Sequence, residues 1–353
     1  MNSELKKYWD KRREEWIADL SKSTREGYKA SRSMVEAAVR RWWCDNQYKG
    51  MPGSLLKDGM ITTDKATISE ILLKQYAKVS RGREPEWKEW PGIGRDEFSK
   101  EEVKAAISKI KRDTAPGPEN TTGTMLRELN ERGLKELTRF MNRVYREGKI
   151  PETWKYATVS AIHKTGKLRV KPESYRPISL TPLLYRVYGR LLKKRLEKAT
   201  KRFIPREQAG FQPERDVVQQ IQYIVQRHQE GGETTSVFLD IEKAYDTVPR
   251  DTLMDKLQGM GVEAHLIRAI QSTLQETWIS VKGAKSWERT NRGVKQGCVL
   301  APTLFVLFMA NWPHLVRKKH MSEPYDIREP PVETTSTRDP LPAVLTMFVD
   351  DIL

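Results

Sequence analysis

SVFLDIEKAY, residues Ser236–Tyr245, is the stretch from which the fold is read. Val237, Phe238 and Leu239 make an apolar run, Asp240 closes it, and a polar turn follows. This pattern predicts a buried strand that delivers a carboxylate to a sheet edge. A second run of the same build, AVLTMFVDDIL at Ala343–Leu353, carries the pair Asp350 and Asp351. Two strands that each end in acid can meet in space, and carboxylates brought together repel unless a cation lies between them. Hard oxygen ligands with no histidine or thiolate nearby suit Mg²⁺ better than zinc. Asp240 taken alone reads equally well as a turn former or helix cap. The adjacent pair fits that reading poorly, because two acids directly after an apolar run gain nothing from burial.

Composition narrows the class. A chain of 353 residues can bury a substantial core as one large or two medium domains. The longest mostly apolar stretch, Val299–Trp312, is too short to span a bilayer, and the N-terminus MNSELKKYWDKRREEW is charged from the start, unlike a secretory signal. A soluble protein with no membrane partner is expected. Cys44 and Cys298 have neither CxxC spacing nor an adjacent histidine, which disfavours a disulfide framework or zinc site and favours a reducing, intracellular compartment. The net charge of +16 points to a polyanionic partner. Because basic residues recur along the whole chain, a nucleic-acid groove fits better than a disordered arm.

Residues 1–95 read as a helical, basic N-terminal extension. Met34, Val35, Ala38, Val39, Trp42 and Trp43 mark an apolar stripe whose tryptophans suit core anchoring better than base stacking. Ile68–Val79 predicts an amphipathic helix, and RGREPEWKEWPGIGRDE at Arg81–Glu97 predicts a linker and domain boundary. Ser99 and Glu102 then have capping-box spacing before a short helix. A second helix from Leu134 closes at Gly148, and a strand spans Tyr156–Ile162. The loop after it crowds Lys164, Lys167, Arg169, Lys171 and Arg176. It could hold phosphate oxygens or simply be a solvated basic loop. Leu183–Ala199 predicts a helix with Leu184, Val187, Leu191 and Leu192 inward and a cationic face of Arg186, Arg190, Lys193, Lys194 and Lys198 suited to a phosphate backbone. A Gly-marked turn at Gln296-Gly297 leads into a buried helix with Pro302 in its first turn.

These stretches, in this order, resemble the reverse transcriptase domain of non-LTR (LINE-type) retrotransposons. The resemblance rests on APGP at Ala115–Pro118, PETWK at Pro151–Lys155, YRPISL at Tyr175–Leu180, QAGF at Gln208–Phe211, FLDIEKAYDTVPRDTL at Phe238–Leu253, GVKQGCVLAPTLF at Gly293–Phe305 and FVDD at Phe348–Asp351. Several positions depart from the commonest family pattern. FVDD replaces YADD, Cys298 and Ala301 replace serines, and Tyr245 replaces a more frequent Phe. Group II intron maturases share part of the set, but the surroundings KAYDTVPRDTL and PTLF resemble the retrotransposon type more closely. A viral RNA-dependent RNA polymerase is expected to differ where Tyr245 stands, and a non-catalytic RNA-binding remnant is the alternative of a different class.

The resemblance implies an α+β fold of the right-hand polymerase type. Helical, basic fingers would surround a palm with an antiparallel sheet backed by helices, all within residues 96–353. It implies that Asp240, Asp350 and Asp351 hold two Mg²⁺ ions, with Mn²⁺ as a substitute. Lys164 and Arg176 would cradle the triphosphate of a dNTP, Tyr245 would lie under its sugar and exclude a 2′-hydroxyl, and Gln296 would contact the nucleotide. RNA template, DNA primer and dNTPs are the implied partners, and a eukaryotic element would work in cytoplasm and nucleus. The family's thumb would begin beyond Leu353. The 353-residue chain is therefore expected to bind RNA but to polymerise poorly, with the strand before Asp350 short of a partner.

Overall fold

The computed structural model describes residues 51–92, 96–119, 121–213, 215–230, 239–313, 347–348 and 351–352. The chain divides into two compact units, Met1–Met51 and Pro52–Leu353. The first lies outside the described residues apart from Met51, and the Trp42–Trp43 stripe lies outside with it.

The second unit opens with a hairpin, β1 (Leu55–Lys57) against β2 (Met60–Thr62), whose turn places Gly59 at φ 82°. Helix α1 (Lys65–Val79) is capped by Asp64, whose carboxylate accepts from Thr67 N at 2.8 Å, and it buries Ile68, Leu72, Leu73 and Tyr76. Helix α2 (Lys100–Ser108) starts with the expected capping box: Ser99 Oγ accepts from Glu102 N, and Glu102 Oε2 accepts from Ser99 N, each at 3.1 Å. Helix α3 (Glu131–Glu147) ends at Gly148, whose φ of 61° suits a residue without Cβ. Strands β3 (Tyr156–His163) and β4 (Tyr175–Leu180) follow, then α4 (Leu183–Thr200) and α5 (Val217–Glu230). The two-residue β5 (Leu239–Asp240) leads to α6 (Arg250–Gly259), α7 (Ala264–Leu274), β6 (Thr277–Val281), β7 (Glu288–Thr290) and α8 (Ala301–Met309). Last come β8 (Met347–Phe348) and β9 (Asp351–Ile352).

Helix and sheet are mixed, as an α+β class requires. One sheet has the order β4-β3-β6-β7, with β3 and β6 parallel and the other pairs antiparallel. The other has the order β5-β9-β8 and is antiparallel throughout. Helix α8 is apolar on all sides and correspondingly buried, with Leu304, Phe305, Val306 and Leu307 at most 1% exposed. An aromatic group joins α3, α4 and the segment before α2. Phe98 lies 4.9 Å from Tyr145 and Trp154 5.7 Å from Tyr188, centroid to centroid. The Arg195 guanidinium stacks 4.2 Å over the Phe98 ring, which keeps this largely buried cation against a π face as well as beside Asp96.

Three expectations meet a different arrangement. The segment read as a linker is docked: Trp90 is buried and donates Nε1–H to Gln271 Oε1 at 2.7 Å, and Lys88 pairs with Asp255 at 2.7 Å. Its Gly, Pro and charge content concealed aromatic anchors. The chain therefore parts between Met51 and Pro52, and α1, grouped from sequence with the extension, packs on β6 and β7. On α4, the cationic face is largely engaged within the fold. Arg186 donates to Thr181 O at 2.9 Å and Ala115 O at 3.0 Å, Lys193 pairs with Glu197, and Lys194 with Glu102. Leu184 is only partly buried, and Tyr185 and Tyr188 take the inward positions instead. Finally, the strand ending at Phe348 has a partner, because β9 returns beside it and pairs with β5 on its other side.

Candidate active site

The site is assembled from three backbone devices. The first is the β3–β4 hairpin, in which Ile162 faces Arg176 and His163 faces Tyr175. The basic loop between these strands is tied down by Lys164 N–H to Ser174 O at 2.7 Å and Tyr175 Oη–H to Arg169 O at 2.6 Å. A loop anchored this way presents Lys164 and Arg176 from a rigid base. Among the described residues neither cation is held in an ion pair, so both charges are available to an anion.

The second device is the turn Gly293–Gly297. Ser179 N–H donates to Gln296 O at 2.7 Å, which fastens the turn to β4. Gly297 has φ 93°, and a Cβ there would stand 2.9 Å from Ser179 O, so the close approach requires glycine. The same turn grips the segment after β5: Val294 N–H donates to Tyr245 O and Gly293 N–H to Val248 O, both at 2.8 Å. Arg250 holds the arrangement from beneath. Buried at 2% exposure, it donates to the carbonyls of Gly293 at 2.9 Å, Leu274 at 2.6 Å, Thr290 at 2.9 Å and Arg292 at 3.1 Å. Burial pulls its guanidinium down to about 9. Lys295, also buried, donates to Lys155 O at 3.3 Å and is pulled down to about 7 by burial.

The third device is the pairing of β5 with β9, in which Asp240 faces Asp351. Asp240 itself is exposed. Asp350 and Ser236–Phe238 lie outside the described residues, and of Asp351 the backbone alone is described.

Together these devices surround a cavity of about 710 Å³ whose walls include Asp240, Tyr245, Lys164, Arg176 and Gln296. Every site residue expected from sequence whose side chain is described borders this one space. The Tyr245 ring is stacked on Phe305, with centroids 4.9 Å apart and planes at 14°, so a buried helix backs it. Gln296 donates Nε2–H to Asp246 Oδ2 at 2.8 Å. Asp246 was not among the expected residues. Burial pushes its carboxyl up to about 6, against the lowering effects of the Gln296 bond and of Lys243 and Lys164. Two further wall residues have no site role predicted from sequence. Tyr76 reaches the cavity from α1, and Phe211 of QAGF stands 57% exposed with φ 57°, a conformation uncommon for a bulky residue. No helix among the described residues is long and apolar enough to cross a membrane.

A family model described as reverse transcriptase (RNA-dependent DNA polymerase) matches residues 162–353. The chain is 31% identical over 261 residues to the probable RNA-directed DNA polymerase from transposon BS of Drosophila melanogaster, covering 71% of this chain and 27% of that protein. It is 35% identical over 222 residues to the RNA-directed DNA polymerase from mobile element jockey of the same species, covering 60% and 24%. With the Pol polyprotein from the type-2 retrotransposable element R2DM, also of D. melanogaster, it shares 29% identity over 296 residues, covering 79% and 27%. The chain thus spans about a quarter of the length of these relatives.

Proposed function

Because the chain belongs to the reverse transcriptase (RNA-dependent DNA polymerase) family, we propose that its large cavity is the nucleotide site of an RNA-directed DNA polymerase of the non-LTR retrotransposon type. The reaction is addition of a dNTP to the 3′-hydroxyl of a DNA primer on an RNA template. One observation carries the proposal: residues as distant in sequence as Lys164 and Gln296 line one cavity of about 710 Å³ with Asp240 at its wall. That volume falls within the usual range for small-ligand sites.

In this reading Lys164 offers a point charge and Arg176 a planar fork to the triphosphate, which suits a polyanion better than two lysines. Tyr245, held flat by Phe305, is the surface under the sugar. Gln296 meets the nucleotide from the turn fastened to Ser179. Asp240, Asp350 and Asp351 are the metal ligands. The fit is supported by the exposure of Asp240, by the rung it shares with Asp351 and by an all-oxygen donor set. Two bound Mg²⁺ ions would lower the pKa of the attacking hydroxyl and offset charge on the leaving pyrophosphate. The protein's own share is to hold the phosphates, orient the sugar and keep Asp240 and Asp351 on one rung.

The finer architecture is part of the proposal. The sheet β5-β9-β8 with α6 and α8 is read as the palm, and the β3–β4 hairpin with α2, α3 and α4 as the fingers. Residues 52–92 supply a wall of the site through α1, so the extension proper is the unit ending at Met51. RNA template and DNA primer are the proposed partners, and cytoplasm and nucleus the proposed compartments in a eukaryotic host. The test is Mg²⁺-dependent incorporation of dTTP on poly(rA) primed with oligo(dT), by the protein that carries this chain. Incorporation that is RNA-templated and metal-dependent supports the reading. RNA binding without incorporation favours the non-catalytic alternative.

A further inference from the structure

Asp246 follows Tyr245 directly but faces a different partner. Its Oδ2 accepts from Gln296 Nε2 at 2.8 Å, and the two residues line both the large cavity and a second, small one of about 30 Å³. The backbones on either side of this bond are locked. A Cβ on Gly293 would stand 2.5 Å from Asp246 O, Arg292 Nε–H donates to Thr247 O at 3.0 Å, and Ser179 N–H holds Gln296 O at 2.7 Å. What remains free is the terminal amide of Gln296. Its oxygen and nitrogen ends have nearly the same shape and opposite hydrogen-bonding character.

An ionised carboxylate only accepts hydrogen bonds, so it admits one orientation of that amide, with Nε2 turned to Asp246. Oε1 and the second N–H are then left for a ligand. A protonated carboxyl both donates and accepts, and it admits either orientation. The choice matters in a nucleotide site, because a donor in place of an acceptor costs a buried hydrogen bond and leaves a group unpaired.

We infer that Asp246 is a positioning residue for nucleotide binding, fixing through the 2.8 Å bond which end of the Gln296 amide meets the nucleotide. The inference rests on reading the large cavity as the nucleotide site. Lys243 and Lys164 favour the ionised carboxylate, while Arg250, Arg292 and Lys295 line the small cavity with it. From α1, the Tyr76 hydroxyl has its ionisation pushed upward by burial first and then by Tyr175 and Asp246, and it has no hydrogen-bond partner among the described residues. The small cavity has room for about one water, which would give that hydroxyl a partner. Burial sets the changeover near 6, so orientation is fixed at neutral pH and lost in mild acid.

The test follows the Gln296 side-chain amide by NMR in protein labelled with ¹⁵N-glutamine, assigned through Gln296→Met. The expected result is titration of the Gln296 NH₂ pair with a midpoint near 6, abolished in Asp246→Asn. Binding of dTTP, measured by calorimetry with Ca²⁺ to prevent turnover, should weaken about tenfold in Asp246→Asn, as for one well-placed hydrogen bond. The wild-type affinity should fall below pH 6 and that of the variant should stay flat. Thermal unfolding serves as the control for folding. A Gln296 amide indifferent to both pH and Asp246→Asn overturns the inference, as does equal dTTP affinity in the two proteins. A wild-type protein that binds no dTTP while the amide titrates as expected overturns instead the nucleotide reading on which the role depends.

Discussion

Asp240 and Asp351 are direct partners across the antiparallel pair of β5 and β9. Residues on one rung of such a pair have Cα atoms about 4.5–5.5 Å apart, so two acids distant in sequence share one rung between the edge strand β5 and the central strand β9. Nothing about local propensity places them there. Asp240 borders a cavity that also holds Lys164 and Arg176, neither of them in an ion pair among the described residues, and carboxylate and cations around one space suit the proposed metal-bound polyphosphate.

The two cations should contribute to nucleotide affinity and little to template binding. Arg176→Ala is expected to raise the apparent KM for dNTP about tenfold or more, the loss of a charge-assisted contact. RNA affinity at fixed salt should change less than about twofold. Steady-state incorporation beside an RNA gel shift reads both, and an equal loss in the two would make Arg176 an ordinary template contact.

Tyr245→Ala should admit ribonucleotides. A ring held flat against Phe305 excludes an added hydroxyl by steric conflict, so its removal should relax discrimination by about tenfold while dNTP use falls less. Single-nucleotide competition between dTTP and UTP measures this. Unchanged discrimination would return Tyr245 to a packing role.

Asp246 should cost stability at neutral pH. Its folded-state pKa of about 6 lies above the ordinary 3.8, so the folded protein holds this proton more tightly than the unfolded chain. The resulting stabilisation is complete below about 3.8 and lost as pH rises through 6. Asp246→Asn is therefore expected to gain about 3 kcal/mol at pH 7.5, a gain that disappears below pH 4. Denaturant unfolding across pH measures it, and a variant less stable than wild type at pH 7.5 would contradict the burial argument.

Arg250 should be the opposite case. Replacing it with Met removes the donors for several buried carbonyls at once, at an expected cost of about 3 kcal/mol or more. The melting temperature should drop accordingly. A variant as stable as wild type would mean that water replaces the guanidinium at no cost.

The candidate site was legible in sequence where chemistry and local pattern coincide. Asp240 could be read because an apolar run ends in acid, and the capping box at Ser99 because its two partners are three residues apart. What could not be read depends on pairings across the chain. The Asp246–Gln296 bond exists only because Ser179 fastens the Gln296 turn and Val294 grips Tyr245. No role for Arg250 could be read, because its carbonyl partners on Leu274, Thr290 and Gly293 lie far along the chain from it. Likewise Arg186 of α4 reads as outward from sequence, because helical periodicity does not show what covers a face. The Arg81–Glu97 segment has the composition of a linker, and only the Trp90–Gln271 bond reveals that it is docked.

The most direct test compares wild type and Asp240→Asn in the protein that carries this chain, measuring RNA-templated dTTP incorporation with Mg²⁺ and RNA affinity in parallel. Loss of a metal ligand should remove several kcal/mol of transition-state stabilisation, so incorporation should fall at least about a hundredfold while RNA affinity stays within about twofold. Incorporation above about a tenth of the wild-type rate in Asp240→Asn would contradict the assignment of the β5–β9 pair as the catalytic metal site.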